Sequence, residues 1–189
     1  MISRYLSQKA KEFYLKGIED EEFVMKATQE TFGGTCFKSS KKEDIFAHID
    51  FFWNTPKGKC IGIDVKGIKK NAQKDKKLDD SINWLEIMNV RGDLGWLYGK
   101  SEYIAFRTFT DILFVKLKKL QVYTEEKIKG KSLVFTNPKD FYVPYQRYGR
   151  KDTVIKVPTS DLREIADFSI DLTDYNKEKD LINEEQINK

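Results

Sequence analysis

The sequence predicts an α/β fold, with a central mixed sheet of about four strands flanked by helices. Three observations point to it. A helical stretch with a periodic apolar face opens the chain. Short apolar runs of strand length then follow one another closely. A second helical stretch comes after them. The chain has 189 residues, enough for one domain with a real core. Residues 1–170 read as a single domain and residues 171–189 as a polar tail.

The elements follow in order. In "RYLSQKAKEFYLKG", Tyr5, Leu6, Ala10, Phe13 and Tyr14 fall at helical spacing. "EDEEFVMKATQETFGG" reads as a further helix, with acids in its first turn and Gly33-Gly34 as its stop. "DIFAHIDFFWN" and "KCIGIDVKG" read as two strands joined by the turn "TPKG". "KKLDDS" is a loop, "INWLEIMNV" a third strand, "RGDLGWLYGK" a glycine-punctuated loop and "SEYIAFRTF" a fourth strand. "TDILFVKLKKLQVYTEEKIK" reads as a helix, with Ile112, Leu113, Lys116, Leu117 and Leu120 on one side. In "SDLREIAD", Ser160 reads as the N-cap of a short helix.

Composition removes several classes of function. No run of about 18 apolar residues exists, so no membrane-spanning helix is expected. The N-terminus lacks a secretory h-region. Cys36 and Cys60 form neither a disulfide framework nor a zinc motif, and a reducing cytoplasm is the expected location. The net charge of +4 is modest, but "KGIKKNAQKDKK" carries six lysines against one aspartate. Alone, such a run is a solvated surface. Beside buried acids it suits a polyanion.

The chemistry sits just before that run. Asp50 lies among Ile49, Phe51, Phe52 and Trp53, and Asp64 lies between Ile63 and Val65. Alternation puts His48, Asp50 and Phe52 on one strand face, and Gly62, Asp64 and Lys66 on one face of the next. A hairpin would bring the two carboxylates near each other, where they need a compensating cation. Mg²⁺ or Mn²⁺ suits two carboxylates, with the backbone carbonyl of Val65 as a further ligand. Lys66 then stands where it can stabilise charge on a phosphate. Glu86, two residues after Trp84 on the third strand, and His48 are candidate lining residues. Lys69, Lys70 and Lys74, with Arg147, Arg150 and Lys151 of "YQRYGRKD", are candidate contacts to a nucleic-acid backbone. Trp96 and Tyr98 are candidate stacking residues.

Asp50, a short spacer and Asp64-Val65-Lys66 resemble the PD-(D/E)XK nuclease superfamily, with Ile49 where the family name has proline. The segments "NWLEIMNVRGDLGWLYGKSEYIAF" and "YQRYGRKD" look like its phage and mobile-element members. The resemblance implies a restriction-endonuclease-like core and metal-dependent phosphodiester hydrolysis of nucleic acid, DNA by preference. It also implies a glutamate from a helix before the first strand, for which Glu30 is the best match and Glu22 a weaker one. The expected setting is the cytoplasm of a bacterial or phage-infected cell. Two alternatives stand beside this reading. One is a Holliday-junction-type resolvase acting as a homodimer. The other is a non-catalytic, nuclease-derived binding or anti-defence protein.

Overall fold

The computed structural model describes residues 8–70 and 77–173, with side chains described from Leu15 onward. Lys74 and the predicted tail beyond residue 173 lie outside the described residues. The architecture is mixed α/β, but the central sheet has six strands rather than four. The chain runs α1 (Gln8–Phe32), β1 (Thr35–Lys38), α2 (Lys41–Ala47), β2 (Phe51–Asn54), β3 (Cys60–Lys66) and β4 (Ile82–Met88). A 3-10 turn (Trp96–Tyr98) leads to β5 (Tyr103–Arg107), β6 (Asp111–Lys116) and α3 (Leu117–Ile128). Then come β7 (Pro144–Gln146), β8 (Thr153–Pro158), α4 (Thr159–Ile165) and β9 (Phe168–Asp171).

The large sheet has the order β1-β2-β3-β5-β6-β9, and a second sheet has the order β4-β8-β7. Only β3 and β5 pair in parallel within the large sheet. The predicted third strand exists as β4, but it leaves the large sheet and pairs with β8. Sequence order does not dictate which strands become neighbours, because a parallel pair needs a long crossover between its members.

Each face of the large sheet has its own core. Phe51, Trp53, Ile61, Ile63, Val65, Ala105, Ile112 and Phe114 pack on the α1 side with Val24 and Ala27. Ile104, Phe106, Leu113 and Val115 pack on the other side, against Leu117 and Leu120 of α3 and Leu85, Ile155 and Val157 of the second sheet. The strands β5 and β6 are therefore apolar on both faces, as sheet centres are.

That double burial explains one correction. "DILFV" reads as one side of a helix, yet it is β6, and the helix begins only at Leu117. A short, continuous apolar run satisfies a buried strand as well as a helix. A second correction falls in "DIFAHIDFFWN". Residues up to Ala47 are helical: Ser40 and Glu43 form a reciprocal capping box, and His48 ends the helix in the left-handed region at φ 53°. The strand begins only at Phe51, so His48 does not share a strand face with Asp50.

The two expected N-terminal helices are one. Gly17 lies inside it, and the acids at Glu19–Glu22 are mid-helix rather than in a first turn. A single glycine costs a long helix only about 1 kcal/mol relative to alanine, which packing overrides. The stop at Gly33 (φ 69°) and Gly34 (φ 83°) is as expected. Further on, α4 starts at Thr159 with Pro158 as N-cap, so Ser160 is within its first turn. The ordered sheet also runs past residue 170: Asp171 belongs to β9 and Leu172 is buried.

One polar contact seats α1 at the end of a central strand. Asp20, 4% exposed, pairs with Arg107 of β5, and Lys16 lies 3.3 Å from the same carboxylate. The Arg107 guanidinium also covers the Phe23 ring, at 4.2 Å. Gly67 makes room for this: a Cβ there would run into the Asp20 carboxylate. Gly67→Ala should therefore lower stability by about 1–3 kcal/mol through overpacking alone. Urea unfolding of the two proteins measures it, and equal midpoints would contradict the close approach.

Candidate active site

The end of β3 carries the chemistry. Inward positions of this strand, Ile61, Ile63 and Val65, face α1, so Asp64 and Lys66 project from the opposite face. Asp64 is 2% exposed. Its Oδ1 accepts a hydrogen bond from Lys66 Nζ at 2.5 Å. Its Oδ2 is buried without a hydrogen-bond partner among the described residues. Burial holds the Asp64 carboxyl well above the usual range, and nearby Asp50 pushes it further, against the opposing pull of Lys66.

Asp50 precedes β2 by one residue. The pairing of Phe51 with Ile63 places Asp50 opposite Asp64 when the register is extended by one. The strand ladder ends there, and the Asp50 side chain takes over its role: Oδ2 accepts the Val65 N–H at 2.6 Å. In a strand, the N–H and C=O of one residue address the same edge. The Val65 carbonyl therefore lies on the Asp50 side, away from β5.

A third acid comes from α1, and it is Glu21. This half-buried carboxyl is pushed up to about 7, mostly by burial and then by the charges of Asp50 and Asp44. Neither glutamate expected from the sequence stands there. Glu22 pairs with Lys38 at 2.7 Å. Glu30 is exposed and lies 3.6 Å from Lys26. Nine residues of helix place Glu30 about 13 Å along the axis from Glu21 and half a turn around it. A helical wheel carries the missed signal, because Glu21 precedes the buried Val24 and Thr28 by three and seven residues.

Two further elements close the site. From α2, Asp44 is raised by partial burial and by Asp50. His48 is lowered by burial and by Lys66, which keeps it neutral at pH 7. From β4, the Glu86 carboxyl is raised by burial and by Asp152, while Lys66 and the Trp96 backbone N–H pull it down. The Lys66 ammonium stands 4.6 Å above the Trp96 ring. Trp96 reaches it because Gly95 lets the loop fold against β4, where any Cβ would meet the Glu86 carbonyl.

Among the described residues no group of three or more histidine, cysteine or acidic side chains is placed to hold one metal ion. The pair Asp50 and Asp64 remains. A buried carboxylate oxygen without a donor, beside a second carboxylate, fits a hard divalent cation that takes one or two carboxylates and keeps other positions for water or phosphate.

The basic candidates divide. Lys69, Lys70 and Arg147 line one cleft of about 540 Å³. Arg147 also pairs with the buried Asp152. Arg150 and Lys151 are exposed and do not line that cleft. Tyr98 packs against the second core, and its hydroxyl donates to Glu125 Oε1 at 3.3 Å. No family model matches this chain, and neither a curated protein nor a solved structure matches it.

Glu21 makes a pH test of this geometry. Its carboxyl is raised in the fold, so its contribution to stability is present below its ordinary 4.5 and is lost as pH rises through about 7. Without divalent metal, Glu21→Gln should flatten the fall in stability between pH 5 and pH 8. After allowance for solvent at this half-buried site, the gain at pH 8 should be on the order of 1 kcal/mol. Denaturant unfolding at the two pH values measures it. An unchanged slope would place Glu21 in open solvent.

Proposed function

We propose that this protein is a metal-dependent phosphodiesterase that hydrolyses nucleic acid, DNA in the first instance. The observation that supports this most is the pair Asp50–Asp64, with one buried oxygen of Asp64 unpaired and Lys66 on the other. Asp50 and Asp64, with the Val65 carbonyl beside them, would hold Mg²⁺ or Mn²⁺. When bound, such an ion polarises a phosphoryl oxygen and lowers the pKa of water.

The chain's own residues supply the rest. Val65 N–H fixes the orientation of Asp50. Lys66 is free to leave Asp64 for a phosphate, since a bound cation would replace it as the counter-charge. Its ammonium then stabilises the charge that builds on the phosphoryl oxygens during attack. Glu21, with a carboxyl near neutrality, is suited to accept a proton from the attacking water. Trp96 shields the lysine from bulk solvent and strengthens its field.

The contact between Lys66 and Asp64 also favours a second reading. It compensates Asp64 in part without any ion, so a binding protein that retains the fold without catalysis would keep the same pair. Activity separates the two. The wild type should nick or degrade DNA with Mg²⁺ or Mn²⁺. Asp64→Asn and Lys66→Ala should each lower the rate by about a hundredfold or more. No cleavage of linear, circular, single-stranded or branched substrates would remove the hydrolytic reading.

Metal linkage gives a test independent of turnover. Burial raises Asp64, so its ionised form costs stability as pH rises, and a cation offsets that cost. Mg²⁺ or Mn²⁺ should raise the melting temperature at pH 8 and much less at pH 5. In Asp64→Asn the shift should vanish. An equal shift in Asp64→Asn would place the ion elsewhere.

A further inference from the structure

The second sheet carries a surface that hydrolysis at Asp64 does not use. Its inner face, with Leu85, Ile155 and Val157, is core. Its other face is polar and aromatic. Glu86 is opposite Val154, and Val154 is opposite Tyr145, so these three form one cross-strand row. Trp84 lies two residues before Glu86 and therefore on the same face. The face begins at Glu86, which feels the charge of Lys66, and continues to Trp84 and Tyr145. The two rings lie 6.5 Å apart and tilted by 48°.

Opposite this face stand α1 and the segment after β3, which together enclose the cleft of about 540 Å³. Four cations line it: Lys16, Lys69, Lys70 and Arg147. Both acids among its described lining residues are bound to cations, Asp20 by Arg107 and Lys16, and Asp152 by Arg147. The Oδ1 of Asp152 is buried and has no hydrogen-bond partner among the described residues. The wall thus combines aromatic surface with a surplus of positive charge, and it adjoins the carboxylate site.

We propose that this cleft binds one unstacked nucleotide of a single-stranded or locally unpaired substrate, its base against Trp84 and Tyr145 and its phosphates on Lys69 and Lys70. The proposal deepens the nuclease reading and rests on it for the choice of ligand. The physical reason is twofold. Base–aromatic stacking is available only to a base that has left the duplex, and cations spaced along the rim neutralise the flanking phosphates. A base in a duplex has both faces covered by its neighbours and offers nothing to Trp84.

Binding is tested apart from cleavage, with the full chain carrying Asp64→Asn. The probes are a short fluorescein-labelled single-stranded DNA and the duplex of the same sequence, followed by anisotropy. The single strand should bind more tightly. Adding Trp84→Ala should weaken single-strand binding by about tenfold or more, whereas Trp84→Phe should keep most of it. Lys70→Ala should reduce the slope of log affinity against log salt by about 0.7. The duplex should be insensitive to Trp84. If Trp84→Ala does not fold, tryptophan emission decides: the oligonucleotide should quench the Asp64→Asn protein clearly more than its Trp84→Phe derivative.

Equal affinity for duplex and single strand, or unchanged single-strand affinity and quenching after loss of Trp84, would overturn the proposal. The two readings fail separately. Metal-dependent cleavage by a wild type whose Trp84→Ala variant binds single strands normally removes the cleft and leaves the metal site. Tight, Trp84-dependent binding by a wild type that cleaves nothing removes the hydrolysis and leaves the cleft.

Discussion

A single buried carboxylate organises this molecule. Asp64 stands near the end of β3, between Ile63 and Val65, at 2% exposure, where an isolated charge would cost several kcal/mol. Its surroundings answer that cost only in part. Lys66 covers one oxygen, while the other has no donor and faces the charge of Asp50. A fold selected for stability alone would place an apolar residue here. The acids that share the field of Lys66 are biased in the same direction. Glu21, Asp44 and Glu86 are all raised, each first by burial. The site is therefore under electrostatic tension, because burial and neighbouring like charge disfavour the ionised forms of its acids.

The rest of the fold holds that tension in place. The helix α1 is locked to the end of the central strand β5 by the pairing of Asp20 with Arg107, and Gly67 lets the helix close over the end of β3. Glu21, the next residue along, is thereby delivered to the acidic group. On the other side, the Gly95 contact draws Trp96 over Lys66 and brings Glu86 into its field. In both places a glycine removes a side chain so that a functional side chain from another element can approach. The same closure makes the two sheets into walls. One ends at the carboxylates, the other presents Trp84 and Tyr145, and cations line the space near them.

Local information in the chain was enough for the elements whose cause is local. The turn Thr55–Gly58 is set by Gly58 at φ 78° and by the Thr55 and Lys59 bonds, and it pairs β2 with β3. That turn alone brings Asp50 opposite Asp64, and the spacing of Asp64 and Lys66 puts them on one strand face. The ends of α1 at Gly33 and the strand character of β4 and β5 were also readable. The capping box at Ser40 was equally local and readable in principle, although the apolar residues after it suggested a strand.

What tertiary structure decided is partnership. Whether "DILFV" was strand or helix depended on burial from two sides, which only the completed sheet supplies. Whether β4 joined the large sheet or founded another depended on β8, more than sixty residues later. Which glutamate of α1 turned toward the acids depended on the helix rotation that Asp20 and Arg107 impose, and it was Glu21 rather than Glu30. The sequence by itself determined an acid pair with a lysine at the end of a hairpin, because turn geometry and strand alternation are short-range. Only the tertiary structure decided how buried that pair is, which acid joins it and where the cleft lies, because desolvation and charge coupling depend on residues distant in the chain.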